Sequence, residues 1–191
     1  MTEVNYVVLD VETQDSFQAV GAWDASKLHV SVLGLYTSND DKYHTLLEEE
    51  LGQAWAMLES ADVIIGFNLF GFDYPVLQKY YAGKISKMPT LDIMHEFKKA
   101  NGHRIKLDSL ARENLGTGKS GDGLQAIRLW EKGKIDELKR YCLDDVKITR
   151  DLYLKGLSDG VLYYQNLDRR VSWMVDWQAK KPVNNALSLP F

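Results

Sequence analysis

Val7-Val8-Leu9-Asp10-Val11-Glu12-Thr13 is the stretch from which the rest of the chain can be read. An apolar run drives straight into two acids spaced i, i+2. Side chains alternate faces along a strand, so Asp10 and Glu12 point to the same side. Two carboxylates fixed side by side on a buried strand repel each other unless positive charge lies between them. A divalent metal ion answers that need. Its remaining ligands must come from elsewhere in the chain.

Working outward, the apolar run predicts a buried strand over residues 4–11. Leu28 to Tyr36 alternates as a second strand. Ser38-Asn39-Asp40-Asp41 turns the chain, and Lys42 to Leu46 reads as a short third strand. Leu47 to Glu59 has helical spacing, with Leu47, Leu51, Trp55 and Leu58 on one face. Asp62 to Gly66 is a short apolar run expected at the centre of the sheet. Asp73 to Tyr81 reads as a helix with Pro75 near its start, where proline is tolerated. Thr90 to Ile93 reads as an edge strand leading into a helix through Lys99. Leu107 to Leu115 is helical, with Asp108 as its N-cap. Asp122 to Glu131 is a further helix. Ile135 to Leu157 is the longest, ending at Gly156 and Gly160. A hairpin first, then strands and helices, predicts an α/β fold on a mixed central sheet flanked by helices. Val161 to Tyr164 and Val171 to Val175 suggest a late hairpin, and Lys180 to Phe191 an irregular arm. The expectation is one domain over residues 1–191, with a core at about 4–157.

Composition narrows the function. The chain has 191 residues, 45% of them hydrophobic, enough for a sizeable core. A net charge of −4 argues against coating duplex DNA through a broad basic surface. Cys142 is the only cysteine, so no internal disulfide forms, and a reducing, cytoplasmic setting is expected. No signal pattern opens the chain. Its apolar runs fall short of a membrane span, so no membrane partner is expected.

Two further segments carry chemistry. Gly66-Phe67-Asn68-Leu69-Phe70-Gly71-Phe72-Asp73-Tyr74-Pro75 follows a strand and opens a helix, a place where sheets present functional groups. Tyr141-Cys142-Leu143-Asp144-Asp145 puts Tyr141 and Asp145 at i, i+4, one turn apart on one helix face. A phenol so placed can orient a water beside a metal that the carboxylate binds. Asp144 lies about 100° away round the helix and does not share that face. The acids Asp10, Glu12, Asp73 and Asp145 offer only oxygen, which selects Mg²⁺ or Mn²⁺ over Zn²⁺. Two such ions roughly 3.5–4 Å apart suit phosphodiester hydrolysis.

Together the three segments resemble the three exonuclease motifs of the DEDD superfamily, the DnaQ-like 3′–5′ exonucleases with a ribonuclease H-like fold. Asp-Val-Glu-Thr resembles the first motif. Gly66 to Pro75 resembles the second motif of proofreading domains in family B DNA polymerases. Tyr141 and Asp145 match the tyrosine (DEDDy) form of the third. The resemblance spans about residues 4–155, with the motifs in the family's order. It implies that Asp10, Glu12, Asp73 and Asp145 hold two metal ions and that Tyr141 positions the attacking water. It also implies that Thr13, Asn68 and Phe72 contact the 3′-terminal nucleotides, Phe72 by stacking on a base. The implied substrates are single-stranded 3′ ends, with DNA favoured over RNA. The chain is too short to hold a polymerase as well, so a free-standing exonuclease, or one serving a replication or repair protein, is expected.

Taken singly, each feature has a plainer account. An isolated Asp-x-Glu is most often solvent-exposed. Asn68 and Asp73, taken alone, suit plain turn and helix-cap roles as well as functional ones. A tyrosine on an amphipathic helix usually packs. One geometry that explains all five residues outweighs these separate accounts. Gly116 to Gly121 lacks the glycine that a phosphate loop needs, because Glu113 stands at that position. It reads as a loop that touches nucleic-acid backbone at most through Lys119, which makes an ATPase the weakest rival. The four histidines lack metal-ligand spacing. Trp173 and Trp177, near Arg169, Arg170, Lys180 and Lys181, are expected to pack on their own domain. The main rivals are a catalytically idle binding module on the same fold and a 3′–5′ exoribonuclease.

Overall fold

The computed structural model describes residues 4–118 and 124–177. The strands of the main sheet are β1 (Tyr6–Thr13), β2 (Val30–Thr37), β3 (Lys42–Leu46), β4 (Val63–Gly66) and β5 (Thr90–Asp92). Their order is β3-β2-β1-β4-β5. The β1, β2 and β3 strands pair antiparallel, while β4 and β5 run parallel to β1. This is the mixed sheet expected from the sequence. The helices are α1 (Ala54–Glu59), α2 (Asp73–Leu77), α3 (Ile93–Asn101), α4 (Leu107–Leu115), α5 (Gln125–Glu131) and α6 (Ile135–Asp159). A separate hairpin, β6 (Val161–Asn166) with β7 (Arg169–Met174), closes the described chain.

Strand alternation sorts the core into two layers. Val7, Leu9 and Val11 point into one, with Leu33, Leu35, Leu58, Ile64 and Leu77. Val8 points into the other, with Ile65, Phe97, Val146 and Leu152. Each fully buried aliphatic side chain here is worth about 1.5–3 kcal/mol. Asp10 and Glu12 follow Val8 at i+2 and i+4, so they share the face on which α6 lies. Because β1 extends to Thr13, both acids lie within the strand rather than just past it.

Close approach of α6 to the sheet depends on Gly34, which pairs with Asp10 across β1 and β2. A Cβ at Gly34 would sit 2.8 Å from Cys142 Sγ and 3.0 Å from Val146 Cγ2. At the other end α6 runs through Gly156 and stops at Asp159, with Gly160 in the left-handed conformation as its cap. Gly156 is therefore not a terminator as its sequence position suggested. It makes room for Trp177, whose ring would stand 2.2 Å from a Cβ there. Trp173 and Trp177 are buried, and they pack on the core as expected.

Other boundaries shift for local reasons. Leu47 to Glu59 splits into a 3₁₀ turn, Glu48–Gln53, followed by α1. The helix expected to Tyr81 is α-helical only to Leu77 and ends as the 3₁₀ turn Gln78–Tyr80. Asp108 is not the N-cap of α4. Lys106 holds that position without a side-chain cap bond, and Asp108 sits in the first turn, paired with Arg112 at 3.0 Å. The start of the expected helix at Asp122, the loop at Lys119 and the arm from Lys180 lie outside the described residues. No helix among the described residues is long and apolar enough to cross a membrane.

Candidate functional site

The acids on β1 meet α6. Asp10, Glu12 and Asp145 each offer a carboxylate oxygen, and these oxygens lie within 4.8 Å of one another. Glu12 is 9% exposed and Asp145 2%. A register shift between β1 and β2 falls at Glu12 and Thr13, so that Ser31 has no partner across the ladder. Such a bulge re-aims the side chains beside it. Tyr141 is buried on α6 one turn before Asp145, packed with Ala126, Leu129 and Leu138. Asp144 is exposed and points elsewhere.

Asp73 joins from α2. Its Oδ1 accepts a hydrogen bond from the Val11 N–H at 3.0 Å, between the two acids of β1. Burial raises its carboxyl well above the usual carboxylate range, and the nearby charge of Asp10 raises it further. Four acids thus converge, three of them close enough to share one ion.

Cys142 sits among them. Its Sγ donates to the Asp10 carbonyl oxygen at 3.5 Å and lies 3.7 Å from Asp10 Oδ2. Burial pushes the thiol up strongly, and the carboxylates of Asp10, Glu12 and Asp145 push it in the same direction. With its Sγ turned to the Asp10 carbonyl, it packs beside the three acids and is not one of the group whose atoms could share an ion. The donor set is therefore all oxygen, which fits a hard divalent cation.

The loop from β4 to α2 is held from below by Asp92, at the end of β5. Asp92 is 2% exposed. It accepts from the Asn68 N–H at 2.8 Å, the Phe70 N–H at 3.1 Å and the His95 N–H at 3.1 Å. The last bond caps α3. Asn68 is left-handed, at φ +72°, a conformation that asparagine tolerates better than most residues. Its side-chain oxygen accepts from Arg104 at 2.8 Å. Gly71 passes so close that a Cβ there would meet Asn68 Oδ1 at 2.5 Å.

Of the residues expected to touch substrate, Thr13 and Phe72 lie together on one cleft of about 350 Å³. Thr13 Oγ1 donates to the Asp15 carbonyl at 2.9 Å. Asn68 lines the β4–α2 loop rather than that cleft. No histidine belongs to the acid cluster; His29, for example, pairs with Asp15 at 2.8 Å.

Sequence reasoning missed Asp92, Arg104, Cys142 and Gly34. An aspartate just before the apolar helix Ile93-Met94 signals an N-cap, which would have found Asp92. Nothing local signals the other three, because their partners are remote in the chain.

The RNase_H_2 model of the RNase H superfamily matches residues 7–155. No match was found among curated proteins. Among solved structures, the family B DNA polymerase from the hyperthermophilic archaeon Pyrobaculum calidifontis is similar, at TM-score 0.62 and 18% identity. The likeness covers 81% of this chain and 25% of the polymerase chain, so this chain spans about a quarter of that protein's length. At that identity the likeness is one of fold.

Proposed function

Because the chain belongs to the RNase H superfamily, we propose that it is a metal-dependent 3′–5′ exonuclease of the tyrosine-type DEDD subgroup, acting on single-stranded ends. The observation that carries this reading is the meeting of Asp10, Glu12 and Asp145, from opposite ends of the chain, within 4.8 Å. Repulsion among like charges gathered this closely is relieved by a proton or by a cation, and an all-oxygen set of this kind suits a hard divalent cation. DNA is favoured as substrate, because Gly66 to Pro75 resembles a proofreading motif and the fold is like that of a DNA polymerase.

Asp10, Glu12, Asp73 and Asp145 would hold two Mg²⁺ or Mn²⁺ ions. When bound, such ions supply positive charge to the phosphate under attack and to the 3′ oxygen that leaves. The Val11 N–H aligns Asp73 for its share of that work. The Tyr141 phenol positions the attacking water from the helix face it shares with Asp145. Thr13 and Phe72 seat the terminal nucleotide. Asn68, tied to the exposed Arg104, sets the rim of the β4–α2 loop. Water adds to the terminal phosphorus, the P–O bond to the 3′ oxygen breaks, and a nucleoside monophosphate leaves. The shortened strand keeps a 3′ hydroxyl, ready for another round.

The test is degradation of end-labelled single strands, DNA and RNA in parallel, blocked at either end, with Mn²⁺ or with EDTA. Loss of 3′-terminal nucleotides in Mn²⁺ alone is expected. Asp10→Ala and Asp145→Ala should abolish it, and Tyr141→Phe, which keeps the ring packing, should slow it less. Full activity in either aspartate variant overturns the assignment. Faster loss from RNA would make the chain an exoribonuclease, and tight binding without turnover would make it a binding module.

A further inference from the structure

Trp23 is 92% exposed, far more than a large indole on a stable surface usually is. It is not isolated. Its ring stacks on Phe17 at 5.2 Å, with 30° between the planes, and Phe17 meets Phe72 edge-on at 6.2 Å. The three rings line the cleft that holds Thr13, with Leu28, Leu124 and Ile127 adding to its apolar lining. Thr13 follows the acid Glu12 and Phe72 precedes the acid Asp73 in the chain, so the cleft borders the acid cluster although none of its four acids lines it.

The lining chemistry selects the occupant. Among the described residues, none that lines the cleft is Lys or Arg, and the one acid, Asp15, is paired with His29. Among these described residues a phosphate finds no counter-charge. A flat, uncharged aromatic ring does find partners: faces to stack on, and the hydroxyl and amide groups of Ser16 and Gln18 to meet its edge. Resting on the exonuclease reading above, we propose that Trp23 and Phe17 form a nucleobase platform. It receives the base next to the one Phe72 seats, and so selects an unpaired 3′ end. In a duplex both faces of that base are already covered by its neighbours. Only a frayed or single strand can lend one to the platform.

Five tryptophans share the chain's fluorescence, but Trp173 and Trp177 are buried and Trp23 is the open one. The experiment has two arms. In EDTA, where turnover is blocked, oligothymidylate is titrated into wild type and Trp23→Phe while tryptophan emission is followed. In Mn²⁺, KM and kcat are measured on single-stranded oligonucleotides for wild type, Trp23→Phe and Trp23→Ala. Oligothymidylate should quench wild-type emission, and that quenching should vanish in Trp23→Phe. Trp23→Ala should raise KM roughly ten-fold or more, the loss expected for one base stack, with kcat little changed. Trp23→Phe should fall between, since a smaller ring still stacks. A wild-type KM in Trp23→Ala, with normal turnover, overturns the platform and leaves the nuclease standing. Saturable quenching in a wild type that cuts nothing supports the platform and defeats the nuclease. Concentration-dependent self-association that disappears in Trp23→Ala would assign the cleft to a second copy of the chain, and would also overturn the proposal.

Discussion

At the scale of single residues, the site is a conflict held in place by packing. Asp73 shows it most clearly. Burial and the Asp10 charge both disfavour its ionised form, yet its Oδ1 is fixed by the Val11 N–H. Its carboxyl therefore keeps its proton to a higher pH in the folded chain than in the unfolded one. The stability this adds is fully present below the ordinary carboxylate range and is lost as pH rises through the folded value. Asp73→Asn keeps an oxygen for the Val11 bond and cannot ionise. Without metal, the variant should be more stable than wild type at about pH 8, on the order of 1–3 kcal/mol. The gap should narrow toward about pH 5 as wild-type Asp73 takes up its proton. Hydrolysis should be lost. Denaturant melts in EDTA at the two pH values check the first point, and a variant less stable than wild type at both would count against a repulsive cluster. That Asp10 and Glu12 share a strand face, and Tyr141 and Asp145 a helix face, was legible in the sequence, because strand and helix periodicity place such pairs without any remote information. The thiol at Cys142 was not, since its neighbours come from β1 and β2.

At the scale of elements, two contacts aim the acids. The first is the seating of α6 on Gly34. Gly34→Ala places a Cβ 2.8 Å from Cys142 Sγ, so helix or strand must give. Overpacking of this kind costs about 1–3 kcal/mol. Asp145 lies between the two contacting residues, Cys142 and Val146, so kcat should fall along with stability. The double variant Gly34→Ala, Cys142→Ala removes the clashing sulfur and should recover much of both. No recovery would place the role of Gly34 elsewhere. The second contact is Asp92 beneath the β4–α2 loop. Asp92→Ala orphans three N–H donors at Asn68, Phe70 and His95, each costing about 1–3 kcal/mol if left buried and unmet. A loss of at least 2 kcal/mol is expected, with weaker hydrolysis because Asp73 follows that loop. A neutral result in thermal melts would mean that water replaces the carboxylate at little cost. The strands and α6 were readable because their apolar periods are long. The short 3₁₀ segments at Glu48–Gln53 and Gln78–Tyr80 were not, for they carry helical spacing without helical length. Asp108 looked like a cap because it is an acid near a helix start, but Leu107 already belongs to the helix, so Asp108 falls in its first turn.

At the scale of the whole molecule, the acid cluster ties the N-terminal strand to a helix late in the chain, so an ion bound there should brace the entire fold. The mixed sheet flanked by helices follows from patterns that sequence carries openly: alternation in β1, helical spacing in α6, and a hairpin ahead of the later strands; the strand order β3-β2-β1-β4-β5 comes from the structure alone. The aromatic wall at Trp23 did not follow, because it is built by a loop of loose pattern that borrows Phe72 from another segment. What sequence and structure share is a prediction about linkage. A ligand that binds the folded state alone stabilises it by RT ln(1 + [L]/Kd), about 2.7 kcal/mol at a hundred-fold excess over Kd. For a chain of this length that is roughly a 5–10 °C rise in Tm. Millimolar Mn²⁺ should therefore raise the melting temperature of wild type. It should raise that of Asp73→Asn less, because one of the charges the ion relieves is already gone. Asp10→Ala, Asp145→Ala should respond least. A melt that ignores Mn²⁺ while the protein still degrades DNA would mean that the ions arrive with the substrate's phosphates, and the acids would then be a site completed only by the strand they cut.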